Sequence, residues 1–251
     1  MTEEQRLHGM KAVVTGAAGG IGEAVSLLFA KHGAEVLAVD LPDSGLEQAF
    51  RRRDSIITLP QDVTADDATA VITETVAKRL GGLDILVNSA GVCPIAPVES
   101  LTDEDWQHAM DVNVTAMFRL CRAAVPFMRK SPAGRIINVG SVMSKFGAAD
   151  MAAYAASKHA VAGLTKTLAS ELGRDGITAN FLLPGAIVTS TTRQAFRADR
   201  EFRDFWIHKS ASGRLGEPLD VAKVALFLAS DDAAFVSGQG ILVDGGAMQS
   251  T

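Results

Sequence analysis

The sequence predicts an α/β fold in which one parallel β-sheet is flanked by helices. Short runs of β-branched and apolar residues alternate with longer segments of helical periodicity, which is the pattern of repeated βαβ units. The chain has 251 residues, of which 47% are hydrophobic, and this is enough for one large core. No low-complexity linker or internal repeat divides it. We therefore expect a single domain that covers residues 1–251.

The apolar runs predict seven strands, at residues 11–15, 35–40, 56–59, 83–88, 135–140, 177–183 and 239–243. Five helices are predicted between them, at residues 20–32, 66–80, 106–129, 154–172 and 219–229. Residues 191–210 do not fit this alternation and carry four aromatic side chains among charged ones. We expect this segment to be a mobile cap rather than an element of the core.

Composition and charge argue against several classes of function. The formal net charge of −5 provides no basic surface for nucleic acid. Cys93 and Cys121 are too few for a disulfide framework, and no His, Cys or carboxylate cluster has metal-ligand spacing. The first residues are polar, and no apolar run reaches the roughly 18 residues that a bilayer requires. We expect a cytoplasmic protein without a metal, a nucleic-acid partner or a membrane anchor.

A glycine-rich turn follows the first predicted strand and opens the first predicted helix. Gly16, Gly20 and Gly22 let the backbone approach a pyrophosphate closely, and the helix N-terminus presents unpaired N–H groups to it. Asp40 lies 18 residues beyond Gly22, at the end of the second predicted strand. Its carboxylate can accept hydrogen bonds from the adenosine ribose and repels a 2′-phosphate, and Leu41 offers no compensating cation. These residues predict NAD(H) rather than NADP(H) as the cofactor.

Tyr154 is the only tyrosine of the chain, and Lys158 follows it by four residues. On a helix this spacing places both side chains on one face, one turn apart. An adjacent ammonium would lower the pKa of the phenol from its free value of about 10 and make it a general acid/base. The same spacing also occurs in ordinary packed helices, so this interpretation depends on the surrounding motifs. Ser141, thirteen residues before Tyr154, is a candidate third member of the site.

Taken in order, these motifs resemble those of the short-chain dehydrogenase/reductase family, in the subgroup of about this chain's length. Residues 88–91 resemble its Asn-Asn-Ala-Gly element, with Ser89 as a departure at the second position. Residues 62–63 resemble the pair that meets the adenine, and residues 184–189 resemble the loop that holds the nicotinamide carboxamide. The resemblance covers nearly the whole chain. It implies cofactor contacts from Gly16, Gly20, Ile21, Gly22, Asp40, Leu41, Asp62, Val63, Asn88, Ala90, Gly91, Tyr154, Lys158, Pro184, Gly185, Ile187 and Thr189.

The resemblance also implies a doubly wound, Rossmann-type sheet of seven parallel strands and a catalytic set formed by Asn113, Ser141, Tyr154 and Lys158. In this set Tyr154 would exchange a proton with the substrate, and Ser141 would orient the substrate oxygen. Lys158 would lower the Tyr154 pKa and bond the nicotinamide ribose. Asn113 would support a water that links Lys158 to solvent. The structural alternatives are a turn cap for Ser141 and a helix-bend role for Asn113.

The predicted function is hydride transfer between NAD(H) and a secondary alcohol or ketone. The predicted substrate loops are largely apolar, which favours a hydrophobic or cyclic substrate over a polyol. They supply Val92, Cys93, Pro94, Val142, Met143, Phe146, Ala148, Ala186 and Ile187. One alternative is a 3-oxoacyl-thioester reductase, whose usual NADPH is opposed by Asp40, and others are a polyol or sugar dehydrogenase and a non-catalytic dinucleotide-binding protein. The intact catalytic set argues against the last of these.

Self-association is the expected protein–protein interaction. The predicted helices at residues 106–129 and 154–172 carry small and apolar residues on more faces than one sheet can cover. The family resemblance suggests a homotetramer with 222 symmetry. The expected partners are therefore a small alcohol or ketone and further copies of the chain.

Overall fold

The computed structural model describes residues 5–249. Its strands are β1 (Lys11–Thr15), β2 (Glu35–Asp40), β3 (Ile56–Pro60), β4 (Ile85–Asn88), β5 (Arg135–Val139), β6 (Thr178–Pro184) and β7 (Gly240–Val243). They form one parallel sheet in the order β3-β2-β1-β4-β5-β6-β7. The strand order reverses between β1 and β4, so the sheet is doubly wound and of Rossmann type. The predicted fold class is confirmed, and every predicted strand is present with ends within two residues of the prediction.

Helices cover both faces of the sheet. They are α1 (Gly20–Lys31), α2 (Leu46–Ala49), α3 (Ala68–Thr75), α4 (Asp103–Met110), α5 (Met117–Met128), α6 (Ala152–Leu172), α7 (Ser190–Ala198), α8 (Arg200–Lys209) and α9 (Pro218–Ala229). Side chains of α1, α2 and α9 form one core with the sheet, and those of α3, α5 and α6 form a second core on its other face. The central strands lie between two apolar layers, which explains why their sequences are nearly continuous apolar runs.

Two of the predicted helices contain a π-helical segment. The predicted helix at residues 106–129 consists of α4, the π-helical residues Asp111–Ala116 and α5. The predicted helix at residues 66–80 consists of α3 followed by the π-helical residues Val76–Leu80. A π-helical turn changes the direction in which the following side chains point and is frequent at functional sites. Asn113 lies inside the first of these segments and is completely buried.

The segment at residues 191–210, which we expected to be a cap outside the core, contains two helices that the sequence did not predict. Thr189 caps α7 by accepting a hydrogen bond from the backbone N–H of Thr192, and Asp199 caps α8 by accepting one from that of Phe202. Phe196 is buried and stacks on Phe202 with ring centroids 5.4 Å apart. The aromatic side chains of α7 and α8 therefore pack on one another. The mobility of this cap stays a prediction.

Candidate active site

The carboxyl ends of the parallel strands bring most of the predicted site residues to one edge of the sheet. Asp40 ends β2, Asn88 ends β4 and Pro184 ends β6, while Ser141 lies two residues beyond the end of β5. Ligands of doubly wound sheets bind outside this edge, at the point where the strand order reverses. The glycine-rich turn between β1 and α1 lies at that point. The topology therefore unites residues that are far apart in the sequence, such as Gly16 of this turn and Pro184, which are 168 positions apart.

Ser141 is held in place by the turn that it caps. Its backbone is extended, and its Oγ accepts a hydrogen bond of 3.1 Å from the Met143 N–H. Its own N–H donates to the Ser144 Oγ at 3.3 Å. The Ser141 side chain also hydrogen-bonds Tyr154, which lies in the first turn of α6. The serine is thus both a turn cap, which was the structural alternative, and a neighbour of the phenol.

Lys158 reaches the end of β5 from α6. Its Nζ donates a hydrogen bond of 2.8 Å to the Val139 carbonyl oxygen and lies 5.6 Å from the centroid of the Tyr154 ring. The side chain lies almost wholly inside the protein, since only 4% of the residue is exposed. Tyr154 and Lys158 therefore lie on one face of α6, as predicted. The ammonium group is hydrogen-bonded to the backbone at the end of β5.

The predicted lowering of the Tyr154 pKa by Lys158 is wrong for this structure. Burial raises the pKa of Tyr154 to about 12, because a phenolate loses its hydration there. The hydrogen bond from Ser141 opposes this rise, and the neighbouring Cys93 adds to it. Burial also lowers the pKa of Lys158 to about 8. Helical spacing predicted the neighbours correctly, but it gave no information on how strongly both groups are desolvated.

Asn113 connects the loop after β4 to the helix that carries Tyr154. Its Oδ1 accepts a hydrogen bond from the Val92 N–H, and its Nδ2 donates to the Val92 carbonyl, both at 2.9 Å. The same Nδ2 donates to the Ser157 Oγ at 2.9 Å. The side chain therefore stabilises the π-helical segment, as the structural alternative for Asn113 proposed. Sequence analysis missed Ser157, although its position three residues after Tyr154 on a helix was visible.

The glycine-rich turn fits a dinucleotide because side chains there would collide with backbone. A Cβ on Gly16 would lie 2.7 Å from the Ala90 N, and one on Gly22 would lie 2.1 Å from the Gly16 carbonyl oxygen. Gly20 has a positive φ of 56°, and its Cα faces Thr189 closely enough that a Cβ would lie 3.2 Å from the Thr189 Cβ. Gly19, the N-cap of α1, provides no capping side chain, so the first N–H groups of this helix can bind an anion.

Asp40 is fixed beside this turn by two backbone N–H groups. Its Oδ2 accepts from the Ala18 N–H and its Oδ1 accepts from the Leu41 N–H, both at 2.7 Å. The carboxylate therefore belongs to the same unit as the glycine-rich turn. Asp62 lies beyond the neighbouring strand β3 and accepts from the N–H and Oγ1 of Thr64 at 2.8 and 2.7 Å. Val63 next to it is buried.

The segment at residues 88–91 joins three strands. The Asn88 Nδ2 donates to the Asn138 Oδ1 at 2.8 Å, which links β4 to β5. The N–H groups of Ser89 and Ala90 donate to the Thr15 Oγ1 at 3.1 and 3.2 Å, which links the segment to β1. Ser89 stands where the family motif has asparagine. It contributes to these links through its backbone N–H, so the difference in side chain leaves them intact. The side chain of Asn88 points into the core, and only its backbone lies at the sheet edge.

The loop after β6 forms part of a cavity of about 330 Å³. Gly185 approaches the turn after β7 so closely that a Cβ would lie 2.8 Å from the Asp244 Cβ. Ile187 pairs with Gly216, and both line the cavity together with Trp206 of α8. Tyr154, Ser141 and Lys158 do not line this cavity. Cys93, a predicted substrate-loop residue, lies close enough to Tyr154 and Lys158 to affect the pKa of each.

Within residues 5–249 no group of three or more His, Cys, Asp or Glu side chains is placed to hold a metal ion. No helix in that part of the chain combines the length and apolar character that crossing a bilayer requires.

Comparison with known proteins identifies the class to which this site belongs. A family model described as enoyl-(acyl carrier protein) reductase matches residues 16–248. The 3-oxoacyl-[acyl-carrier-protein] reductase FabG of Thermotoga maritima is 38% identical over 96% of this chain and 98% of its own length. The gluconate 5-dehydrogenase of Gluconobacter oxydans is 36% identical over 96% and 95%. The chain belongs to the short-chain dehydrogenase/reductase family, as its motifs predicted.

A solved structure supports the same conclusion. The crystal structure of a protein from Beutenbergia cavernae, with NADP bound at low occupancy, matches with a TM-score of 0.91 at 39% identity. The match covers 98% of this chain and 99% of that one. The relatives are oxidoreductases that act on CH–OH groups, and their names differ in substrate.

Replacing Lys158 by methionine should stabilise the protein at neutral pH. The pKa of Lys158 is about 8 in the folded chain and 10.5 in its ordinary state, so the folded state disfavours the charged form below pH 8. Stability therefore rises with pH between 8 and 10.5, where the unfolded chain binds more protons. Lys158→Met should raise the free energy of unfolding at pH 7 by as much as roughly 3 kcal/mol. Urea unfolding at pH 7 and at pH 10 should show this difference shrinking as the pH rises.

Lys145→Met is the matched control for that measurement. Lys145 is exposed and lies close to the site in sequence. Its substitution should change stability by less than about 0.5 kcal/mol at either pH. A Lys158→Met chain that is less stable at pH 7, or whose difference from the unaltered chain is independent of pH, contradicts the interpretation.

Proposed function

We propose that this protein is an NAD-dependent dehydrogenase that interconverts a hydrophobic secondary alcohol and its ketone. The observation that carries the proposal is the convergence of Ser141, Tyr154 and Lys158 beside a glycine-rich turn at the carboxyl edge of the sheet. The nicotinamide ring supplies the acceptor or donor of hydride at its C4. Every other function required at the reacting carbon, namely orientation and proton exchange, comes from side chains of this chain.

The proposed roles follow from the environments of these side chains. With a pKa of about 12, Tyr154 carries its proton at neutral pH and is suited to donate it to the oxygen of a ketone. Lys158, with a pKa of about 8, gains and loses a proton near neutral pH and can restore the proton of the phenol. Ser141 is held by the Met143 N–H and can hydrogen-bond the substrate oxygen. Asn113 keeps the loop at Val92 in place and, by family resemblance, supports the proton path from Lys158 to solvent.

Tyr154→Phe tests the central role. The variant removes the exchangeable proton and keeps the ring, so turnover should fall by about 10²- to 10⁴-fold. NAD binding, measured by fluorescence titration, should stay within about threefold, because a single lost hydrogen bond contributes little to a large ligand. A Phe variant that keeps more than a tenth of the unaltered kcat would remove the phenol from the mechanism.

NAD is the proposed cofactor because of the position of Asp40. Its carboxylate is fixed by the Ala18 and Leu41 N–H groups at the end of β2, where the adenosine ribose of a bound dinucleotide lies in such sheets. A 2′-phosphate at this place would meet a negative charge. A relative can hold the phosphorylated dinucleotide, as the NADP in the Beutenbergia cavernae structure illustrates.

Asp40→Asn should change the cofactor preference. It removes the charge and keeps an acceptor for one backbone N–H, so the ratio of kcat/KM for NADP to that for NAD should rise by about tenfold or more. Asp43→Asn, which neutralises an exposed carboxylate on the same loop, is the matched control and should leave the ratio within about twofold. If the ratio of kcat/KM for NADP to that for NAD is the same in both variants, Asp40 is not the residue that discriminates between the two cofactors.

The proposed substrate class rests on the side chains around Tyr154. The Cys93 thiol influences the phenol, and Val142 and Met143 form the buried turn that Ser141 caps. Phe146 follows this turn and is partly exposed. Several hydroxyl groups of a polyol would lack hydrogen-bond partners against such a lining. A 3-oxoacyl-thioester reductase and a polyol or sugar dehydrogenase are the alternatives, and the named relatives include both kinds of enzyme.

A pair of substrates with the same ring separates these possibilities. Cyclohexanol and inositol differ only in added hydroxyl groups, each of which would be left unpaired at a price of about 1–3 kcal/mol in an apolar site. With NAD, kcat/KM should be at least about tenfold higher for cyclohexanol. Faster turnover of inositol, of gluconate, or of an acetoacetyl thioester with NADPH would overturn the apolar assignment in favour of the corresponding alternative.

We further propose that the enzyme is a cytoplasmic homotetramer that binds neither nucleic acid nor membranes. Phe118 on α5 is exposed and contacts Arg122, and such an apolar helix surface favours contact with another copy. Strand β7 ends the sheet and is only half-buried along its length, which leaves an edge for a second copy. Both cysteines are free thiols, which supports a reducing compartment.

A further inference from the structure

Ser157 connects Asn113 to the backbone of Tyr154. It is completely buried in α6. Its Oγ accepts a hydrogen bond of 2.9 Å from the Asn113 Nδ2 and donates one of 2.7 Å to the Tyr154 carbonyl oxygen. Because a hydroxyl has one proton and two lone pairs, it can make both bonds at once. Neither bond could be made by alanine at this position.

The hydrogen bonds continue from Asn113 to the loop after β4. Asn113 binds both the N–H and the carbonyl of Val92. Gly91, the residue before Val92, is close to the reacting groups: a Cβ there would lie 3.2 Å from the Asn113 Oδ1 and 3.6 Å from the Lys158 Nζ. One continuous path of hydrogen bonds, of which the Asn113–Ser157 bond is buried, therefore runs from the loop at Gly91 and Val92 to the backbone of Tyr154.

We propose that Ser157 is a positioning residue that sets the location of Tyr154 relative to the loop at Gly91 and Val92. This proposal rests on the proposed function, in which Tyr154 exchanges the proton and the loop borders cofactor and substrate. Reaction rates depend steeply on such distances, and a misplacement of about 1 Å can lower turnover by about 10²-fold. Ser157 does not touch the reacting atoms and acts through the placement of the phenol.

In contrast to that of Ser157, the hydroxyl of Thr167 does not combine a bond within the helix with one to another element. Thr167 lies on the same helix, and its Oγ1 donates to the Gly163 carbonyl oxygen at 3.2 Å. Thr167 is exposed, and that bond stays within the helix. Ser157 makes the same kind of bond within α6, but it also accepts one from the π-helical segment. Loss of its hydroxyl leaves a buried N–H of Asn113 without this partner, and the segment can relieve the loss by moving.

Ser157→Ala and Thr167→Ala form a matched pair that tests the proposal. We expect Ser157→Ala to lower kcat by about tenfold or more, with the Kd for NAD within about threefold. Thr167→Ala should keep kcat within about twofold of the unaltered chain. Thermal unfolding of both variants gives the loss of stability separately. A Ser157→Ala enzyme that is less stable and turns over as fast as Thr167→Ala has lost only a structural contact, and this outcome overturns the proposal.

A double-mutant cycle with Asn113→Ala tests the path itself. If Ser157 acts through Asn113, the two effects on kcat are not additive, and the double variant is little slower than Asn113→Ala alone. Losses of kcat that multiply in the double variant overturn the connection between Ser157 and Asn113.

Tyr154→Phe separates the proposed function from the positioning role of Ser157. A Phe variant that stays active refutes the proposed function. An inactive Phe variant together with a fully active Ser157→Ala refutes the positioning role alone.

Discussion

The site depends on the hydrogen bond from the Lys158 ammonium to the Val139 carbonyl oxygen. This bond joins α6 to the end of β5 and places Tyr154, one helical turn earlier, beside the turn capped by Ser141. It requires a lysine that is almost wholly buried, and burial of that charge lowers its pKa to about 8. The protein thus gives up stability at neutral pH to hold a titratable amine at the sheet edge, which is a frequent property of functional sites.

The irregular parts of the fold lie where the site needs side chains from several elements. The π-helical segment between α4 and α5 turns Asn113 inward, where it binds Val92 and Ser157. The glycine-rich turn is similarly specialised, because Gly16 and Gly22 allow backbone contacts that any side chain would prevent. Asp40 fixes this turn by accepting a hydrogen bond from the Ala18 N–H. In each case a residue with a structural role lies where a functional role is proposed, so the structural alternatives for Ser141 and Asn113 are compatible with the functional ones.

The sequence predicted the sheet well because burial on both faces leaves nearly continuous apolar runs in β1, β4, β5 and β6. It did not predict α7 and α8, whose aromatic residues pack on each other, or the π-helical break at Asn113, which depends on partners distant in sequence. Motif order correctly predicted that Ser141, Tyr154 and Lys158 lie together, and their functional roles stay predictions. The direction of the Tyr154 pKa shift was not predictable, since a spacing of four residues specifies proximity and says nothing about desolvation. Ser157 was missed because serine within a helix carries no distinctive signal until its partners are known.

Family membership and substrate are separate questions, because relatives with the same fold carry names of different substrates. Contacts within the fold hold Ser141 and Lys158 in place, so differences in substrate are expected to depend on the loops beside them. Cys93 lies on such a loop, after β4, and is exposed. Its thiol affects the pKa of both Tyr154 and Lys158. A larger or more polar side chain at this position would change the space and polarity beside Tyr154, while the hydrogen bonds of Asn113 to Val92 would keep the loop itself in place.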